Sequence, residues 1–400
     1  MRQATGKPDY ALARLNLGEI YGKTQRFDQA IVELSRAIKA DPSLMEAHFN
    51  LGNAFEGLGR LNEAVASYHR SLAIKPDYVS AHYNLGNALK KVGRLDESVV
   101  SYREALAHKP NHPEAHYNLG NIFKELGKLD DAVASYHKAL SIKPNYAKAQ
   151  NNLGIIFKEL GQLDNAVAHY QKGIGINPDY AEAHSNLGVA LRELGRLDEA
   201  IASYDKAIDI KPDYAEAYNN LGNTLLEMEQ FEEAVASCQK ALAINPDYAT
   251  AHYNLGIGLE KLRRLDEAVV SYNKALTIKP DYIDAYINQG LIIELQEGKK
   301  PFNSLVVLDQ CFTKISLDDP NEATKLLHEV CLNSPYKTQT YVDLFIDRWC
   351  DTIVYMLDNQ NFDIVGKRIR WLYMLVEAHK PFDILLQRYF VRGITGSAVK

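Results

Sequence analysis

His82-Tyr83-Asn84-Leu85-Gly86-Asn87 decides the fold, because near-copies of it return along the chain at one fixed interval. The Asn-Leu-Gly core recurs at 16–18, 50–52, 84–86, 118–120, 152–154, 186–188, 220–222 and 254–256, with a degenerate Asn288-Gln289-Gly290. Each step is 34 residues, and prolines keep the same beat from Pro8 and Pro42 through Pro76, Pro110 and Pro144 to Pro280. A constant period of this length marks a stacked array of small units, each of which buries its apolar face only against its neighbours.

The unit from Val79 to His112 shows what is stacked. Ala81, Leu85, Ala88 and Leu89 recur at helical spacing, Gly93 breaks the pattern, and Ser98, Val99, Tyr102, Ala105 and Leu106 resume it. The unit is therefore helix, turn, helix, and the array is all-α. Pro110 ends the second helix, since the residue before a proline is pushed out of the α region. Asn111 then stands as the N-cap of the next unit, with Asp9, Ser43, Asp77, Asn145, Asp179, Asp213, Asp247 and Asp281 in the equivalent places. Small residues mark where helices approach: Gly86 and its equivalents on the first helix, and Ala64, Ser98, Ala132, Ala166, Ala200, Ala234 and Ala268 on the second. Tyr68, Tyr102, Tyr136, Tyr170, Tyr204 and Tyr272 form a further column of core spacers, interrupted by Leu34 and Cys238.

These columns resemble the tetratricopeptide repeat. The resemblance covers eight units, 11–44, 45–78, 79–112, 113–146, 147–180, 181–214, 215–248 and 249–282, after a partial repeat at 1–10 and before a ninth first helix at 283–297. It implies a right-handed superhelical solenoid of antiparallel helix pairs whose first helices line a concave groove. The family's usual aromatic four residues before the Gly is replaced by Arg14, His48, His82, His116, Gln150, His184 and His252, with Tyr218 and Tyr286 closest to type.

The first helices carry the candidate binding residues. Asn50, Asn84, Asn118, Asn152, Asn186, Asn220 and Asn254, flanked by Asn16 and Asn288, form an unbroken column. A carboxamide has donors and an acceptor and is able to pair with both the N–H and the C=O of an extended peptide without reading side chains. The superhelix of protein O-linked N-acetylglucosaminyltransferases carries a similar column and uses it this way, which implies either a peptide-binding scaffold or the substrate-recruiting arm of a glycosyltransferase whose catalytic part is absent from this chain. The competing reading of the asparagines is structural, as holders of the turn. Beside them lie Phe49, Tyr83, Tyr117 and Tyr253, which are either apolar anchors for a partner or packing between neighbouring first helices. Asn53, Asn87 and Asn121, with Asn223, extend the polar surface three residues further on. Lys90, Lys124, Lys158 and Arg192 form a cationic row suited to an acidic partner, or a solvated face offset by Glu125, Glu159 and Glu193. The place before each ladder asparagine, where some family members use a lysine to clamp a terminal carboxylate, holds no lysine. The histidine column at His48, His82, His116, His184 and His252 puts one side chain per unit, too far apart for one zinc ion, and reads as packing or hydrogen bonding.

Composition narrows the rest. A net charge of −6 over 400 residues leaves no broad cationic surface for a phosphate backbone, so the expected partner is a protein or extended peptide and not nucleic acid. No run of about 18 apolar residues is present to span a bilayer, and Met1 to Lys7 lacks a signal-peptide core, so the chain is expected in the cytoplasm. Cys238, Cys311, Cys331 and Cys350 are far apart and read as buried residues, not a metal site or a disulfide framework. No polar cap is visible before Ala11, which implies either that the array continues upstream in a longer parent or that the first helix face meets a partner, self-association through that end being one form of it. Segment 298–400 breaks the period, carries 13 Lys and Arg against 12 Asp and Glu, and reads as helices at 303–317, 320–333, 338–359, 362–378 and 381–391 forming a cap or small helical domain of unrecognised family. Its Lys367-Arg368-Ile369-Arg370-Trp371 run reads as a solvated helix face. No phosphate loop, metal motif or nucleophile elbow is present, so neither a cofactor nor catalysis is expected.

Overall fold

The computed structural model describes residues 8–279 together with Tyr282, Asp284, Ala285, Asn288, Gln289 and Ile292. The expectations for 298–400, for the basic run there and for Cys311, Cys331 and Cys350 lie outside the described residues. The chain divides into two compact units between Pro212 and Asp213. The first contains α1 (Pro8–Lys23), α2 (Phe27–Ala40), α3 (Met45–Gly57), α4 (Leu61–Ile74), α5 (Val79–Lys91), α6 (Leu95–His108), α7 (Pro113–Glu125), α8 (Leu129–Ile142), α9 (Ala147–Glu159), α10 (Leu163–Ile176), α11 (Ala181–Glu193) and α12 (Leu197–Ile210). The second contains α13 (Ala215–Glu227), α14 (Phe231–Ile244), α15 (Ala249–Lys261) and α16 (Leu265–Ile278). Within each unit, odd-numbered helices pair with the even-numbered helices that follow them, and each second helix packs on the next first helix. The fold of the described residues is all-α, a tetratricopeptide-type stack of helix pairs.

The turns follow from the sequence. In the third pair the turn after α5 holds Gly93, whose φ of +79° lies in the left-handed region. The Gly93 N–H reaches the Lys90 carbonyl at 3.0 Å and the Arg94 N–H reaches Leu89 at 2.9 Å, the paired bonds of a Schellman end. Second helices stop in extended backbone before the proline, as at Lys75 with φ −131° and ψ 90°. The expected N-caps differ. First helices begin one residue later than the sequence implied, with Leu44, Tyr78, His112, Tyr146 and Tyr180 at the N-cap and no side-chain cap bond from any of them. The short polar residues sit within the turn instead, where Asp41 Oδ1 accepts from the Ser43 N–H at 2.9 Å and from its hydroxyl at 2.6 Å. A side chain that bonds its own turn satisfies the backbone locally and leaves the helix start uncapped.

Packing in each pair is set by one close approach. A β-carbon added to Gly120 would lie 2.7 Å from the Tyr136 ring, and Gly52, Gly86, Gly154 and Gly188 meet Tyr68, Tyr102, Tyr170 and Tyr204 in the same way. These tyrosines are fully buried, as are Ala64, Ser98, Ala132, Ala166 and Ala200, which give the helices room to approach. Where the tyrosine is missing the fit is kept by another side chain, with Leu34 against Gly18 and the Cys238 sulfur 2.7 Å from a β-carbon on Gly222. In the second unit Ala285 and Ile292 are buried with Leu255, Leu259, Tyr272 and Leu276.

Two predictions follow from this backbone. Gly120→Ala forces a methyl into the Tyr136 ring and should cost about 1–3 kcal/mol, whereas Gly175→Ala meets nothing within 4 Å and should be neutral or stabilising by up to about 1 kcal/mol; denaturant melts of the two variants separate packing from helix propensity. Glu229 holds the turn in left-handed backbone at φ +60° where five other repeats use glycine, so Glu229→Gly should raise stability by about 1 kcal/mol, read as a higher melting temperature.

Candidate functional site

The ladder asparagines are half-buried on successive first helices of the first unit, and their amide nitrogens turn toward the preceding repeat. Asn84 Nδ2 donates to Asn53 Oδ1 at 2.8 Å. Asn118 Nδ2 donates to Asn87 Oδ1 and to Tyr83 Oη, both at 3.1 Å. Asn152 Nδ2 donates to Asn121 Oδ1 at 2.8 Å and reaches the Tyr117 and Tyr136 hydroxyls at 3.3 Å. The second shared feature lies beneath them. Tyr68, Tyr102 and Tyr136 donate their hydroxyls to Asn53, Asn87 and Asn121 at 2.8, 2.5 and 2.7 Å. Burial pushes all three phenols up, helped in Tyr68 by Glu56, whose carboxylate lies 2.9 Å from the hydroxyl and shares its single hydrogen with Asn53 Oδ1. Each of Asn53, Asn87 and Asn121 thus holds both lone pairs of its oxygen against the array. In sequence the tyrosines read only as core spacers; the signal for this wiring is the constant 15-residue step from Asn53 to Tyr68, Asn87 to Tyr102 and Asn121 to Tyr136.

Later repeats are wired differently. Ile155 and Val189 replace the lower asparagine, and Asn186 Nδ2 donates instead to Asn151 Oδ1 at 3.0 Å. The fully buried Tyr170, 15 residues after Ile155 and packed on Gly154, has a hydroxyl with no hydrogen-bond partner among the described residues. In the second unit Asn254 donates to Asn219 Oδ1 at 3.0 Å, and Asn220 accepts from Asn219 at 3.5 Å. Asn50 is half-buried on α3 at the start of the row.

Phe49, Tyr83, Tyr117 and Tyr253 are half-buried between repeats. Tyr83 stacks on His112 with centroids 4.8 Å apart, Tyr117 packs on Tyr146 at 4.8 Å, Phe49 on Tyr78 at 5.0 Å and Tyr253 on Tyr282 at 4.8 Å. Burial raises the Tyr83 phenol against the lowering effect of the Asn87 and Asn118 amides. The cationic row is paired across repeats: Lys90 meets Glu125 at 2.8 Å and Lys158 meets Glu193 at 3.8 Å, with the neighbouring Lys91 on Glu56 at 2.7 Å. Lys124 is half-buried with no ion pair among the described residues, and Arg192 is half-buried on α11. These partly exposed pairs set charge register between repeats more than they hold the fold.

The histidine column forms a separate set of latches. His48, His82, His116, His184 and His252 place Nε2 at 3.1, 2.8, 3.0, 2.9 and 3.0 Å from the carbonyls of Pro42, Pro76, Pro110, Pro178 and Pro246. Each ring ties its first helix to the turn before it. Burial lowers His116 and His252. Gln150 takes this place in the fifth pair and its Oε1 accepts from His169 Nδ1 at 2.7 Å, while that ring stacks on Phe157 at 5.1 Å. Cys238 is buried beside Gly222, and burial pushes its thiol up to about 12. No group of three or more metal-ligating side chains exists among the described residues, and none of their helices is long and apolar enough to cross a membrane.

Comparison with known proteins places the chain by its repeats. The model described as TPR repeat matches residues 23–59, 58–93, 91–127, 120–161, 154–191 and 188–228, and the model described as tetratricopeptide repeat matches 215–248 and 249–282, together more than half of the chain. The chain belongs to the tetratricopeptide repeat family. Among solved structures, MamA is 25% identical over 42% of this chain and 97% of its own, with a TM-score of 0.40. YrrB, titled a TPR protein with an unusual peptide-binding site, is 25% identical over 47% of this chain and 96% of its own, also at 0.40. A chain of the APC/C hetero-tetramer Cut9-Hcn1 is 16% identical over 67% of this tetratricopeptide repeat chain and 53% of its own at 0.50, a likeness of fold. No curated protein matches the sequence.

His169 gives a pH prediction. Burial, then Lys172 and His137, hold it down at about 4. A histidine depressed in the folded state is protonated more readily in the unfolded chain, so its contribution is complete above the unfolded value of about 6.5 and falls as pH drops toward the folded value. The melting temperature should therefore decline between pH 6.5 and 5.0, and His169→Phe should show a smaller decline over the same interval.

Proposed function

We propose that this tetratricopeptide repeat chain is a non-catalytic interaction scaffold that holds an extended peptide, or an extended segment of a partner protein, along the first helices of its first unit. The observation that carries the reading is the row of oriented amides at Asn84, Asn118 and Asn152. Three successive repeats present the same polar atoms with the same internal bonding. Rigid polar groups at a fixed spacing bind a main chain at low entropic cost, because they are ordered before the ligand arrives. Phe49, Tyr83 and Tyr117 supply half-buried rings beside the row, and apolar contact of this kind dominates the energy of small interfaces. Asn186, with Lys90, Lys124, Lys158 and Arg192 at the margin, extends the same kind of surface within the first unit, while Asn254 of the second unit is buried.

Selecting twelve-residue peptides by display against the full chain tests the proposal, followed by photo-crosslinking of the selected peptide. The expected labels fall on α3, α5, α7 and α9. Labels confined to the second helices, or failure to select any peptide, would overturn it.

A further inference from the structure

Resting on the peptide-binding reading above, we infer that the contact is divided between two kinds of asparagine, one giving hydrogen and the other accepting it, and that the complete clamp is confined to the three repeats that begin at α3, α5 and α7, together with the first helix α9. The division comes from bonds already made inside the array. The oxygens of Asn53, Asn87 and Asn121 each accept from a buried tyrosine and from the next ladder asparagine, so both lone pairs are filled. What these residues retain toward solvent is N–H. Asn87 keeps one such hydrogen even though its amide also bears on Tyr83. The ladder is the reverse. The nitrogens of Asn118 and Asn152 face two or three acceptors within the array, and the oxygen is what remains, that of Asn152 keeping one lone pair beside a 3.5 Å contact from Asn151 Nδ2.

Donor and acceptor therefore alternate along the face with identities fixed by the protein. An extended peptide offers the complementary alternation, one C=O and one N–H from each residue other than proline. Its carbonyls go to Asn53, Asn87 and Asn121, and its N–H groups go to Asn84, Asn118 and Asn152. Tyr68, Tyr102 and Tyr136 are positioning residues, since they set the amide orientation from beneath without touching the ligand. The clamp ends where the chain replaces the donor by Ile155 and Val189. With neighbouring helices about 8–10 Å apart and about 3.3 Å per extended residue, three steps hold about eight residues. The ligand class is an unfolded segment of that length, tolerant of side chains and intolerant of proline at the N–H contacts.

The test uses the full chain and a fluorescein-labelled twelve-residue peptide taken from display selection. Asn87→Asp and Asn121→Asp keep the oxygen that Tyr102, Tyr136 and the ladder require but remove the N–H. Each should weaken Kd about tenfold with the melting temperature nearly unchanged. Ile155→Asn restores the missing donor and gives the Tyr170 hydroxyl an acceptor. It should tighten the twelve-residue peptide severalfold while leaving a truncated eight-residue peptide unaffected, a gain that a damaged fold does not produce. Backbone N-methylation of the peptide should weaken binding at alternate contacts only. If the wild-type chain selects no peptide, the reading of the face falls and this inference with it. If a peptide binds and neither aspartate variant nor Ile155→Asn changes its Kd, the division of roles is wrong while the peptide site stands.

Discussion

A tyrosine ring pressed against a glycine is the contact on which the rest depends. Because Gly86 carries no side chain, Tyr102 comes close enough to be wholly buried, and Gly120 with Tyr136 repeats the arrangement one unit later. The ring fixes the separation of the two helices in a pair. Its hydroxyl then has one available direction, out toward the lower asparagine of the first helix. A buried hydroxyl without an acceptor is costly, so the lower asparagine must turn its oxygen inward. The ladder asparagine of the next repeat bonds the same oxygen. One steric constraint in the core thus propagates to the orientation of amides on the surface.

This chain of dependence explains why packing and recognition share residues. The same Asn118 whose oxygen we propose for the ligand also joins two repeats through its nitrogen. The fifth pair, which has Ile155 in place of the lower asparagine, shows what is lost, since the Tyr170 hydroxyl is unbonded among the described residues. The histidine latches and the cross-repeat ion pairs act on other parts of the same joint. His116 ties α7 to the turn before it, and Lys90 ties α5 to α7 through Glu125.

Much of the fold was legible in the sequence because it rests on spacing. The 34-residue period, the prolines that end second helices and the pairing of small residues with tyrosines are all properties of position, and the helices of the described residues follow them. The helix starts were less legible, because Ser43 reads as a cap while its N–H and hydroxyl close the turn on Asp41 instead. The site was legible as a row of residues but not as a set of atoms. Sequence places Asn118 and Asn87 on one face; it does not say that the nitrogen of one is already bonded to the oxygen of the other. Ion pairing of Lys90 was likewise hidden, because its partner Glu125 lies one repeat away, where helix packing and not chain proximity brings it near.

Hydrogen exchange of side-chain amides, followed by NMR on the free chain, tests the central claim most directly: that ladder nitrogens are held inside the array while their oxygens face out. The account predicts that the Asn118 and Asn152 amide protons exchange at least about tenfold more slowly than those of the exposed Asn111 and Asn145. Equal exchange at all four positions would contradict it.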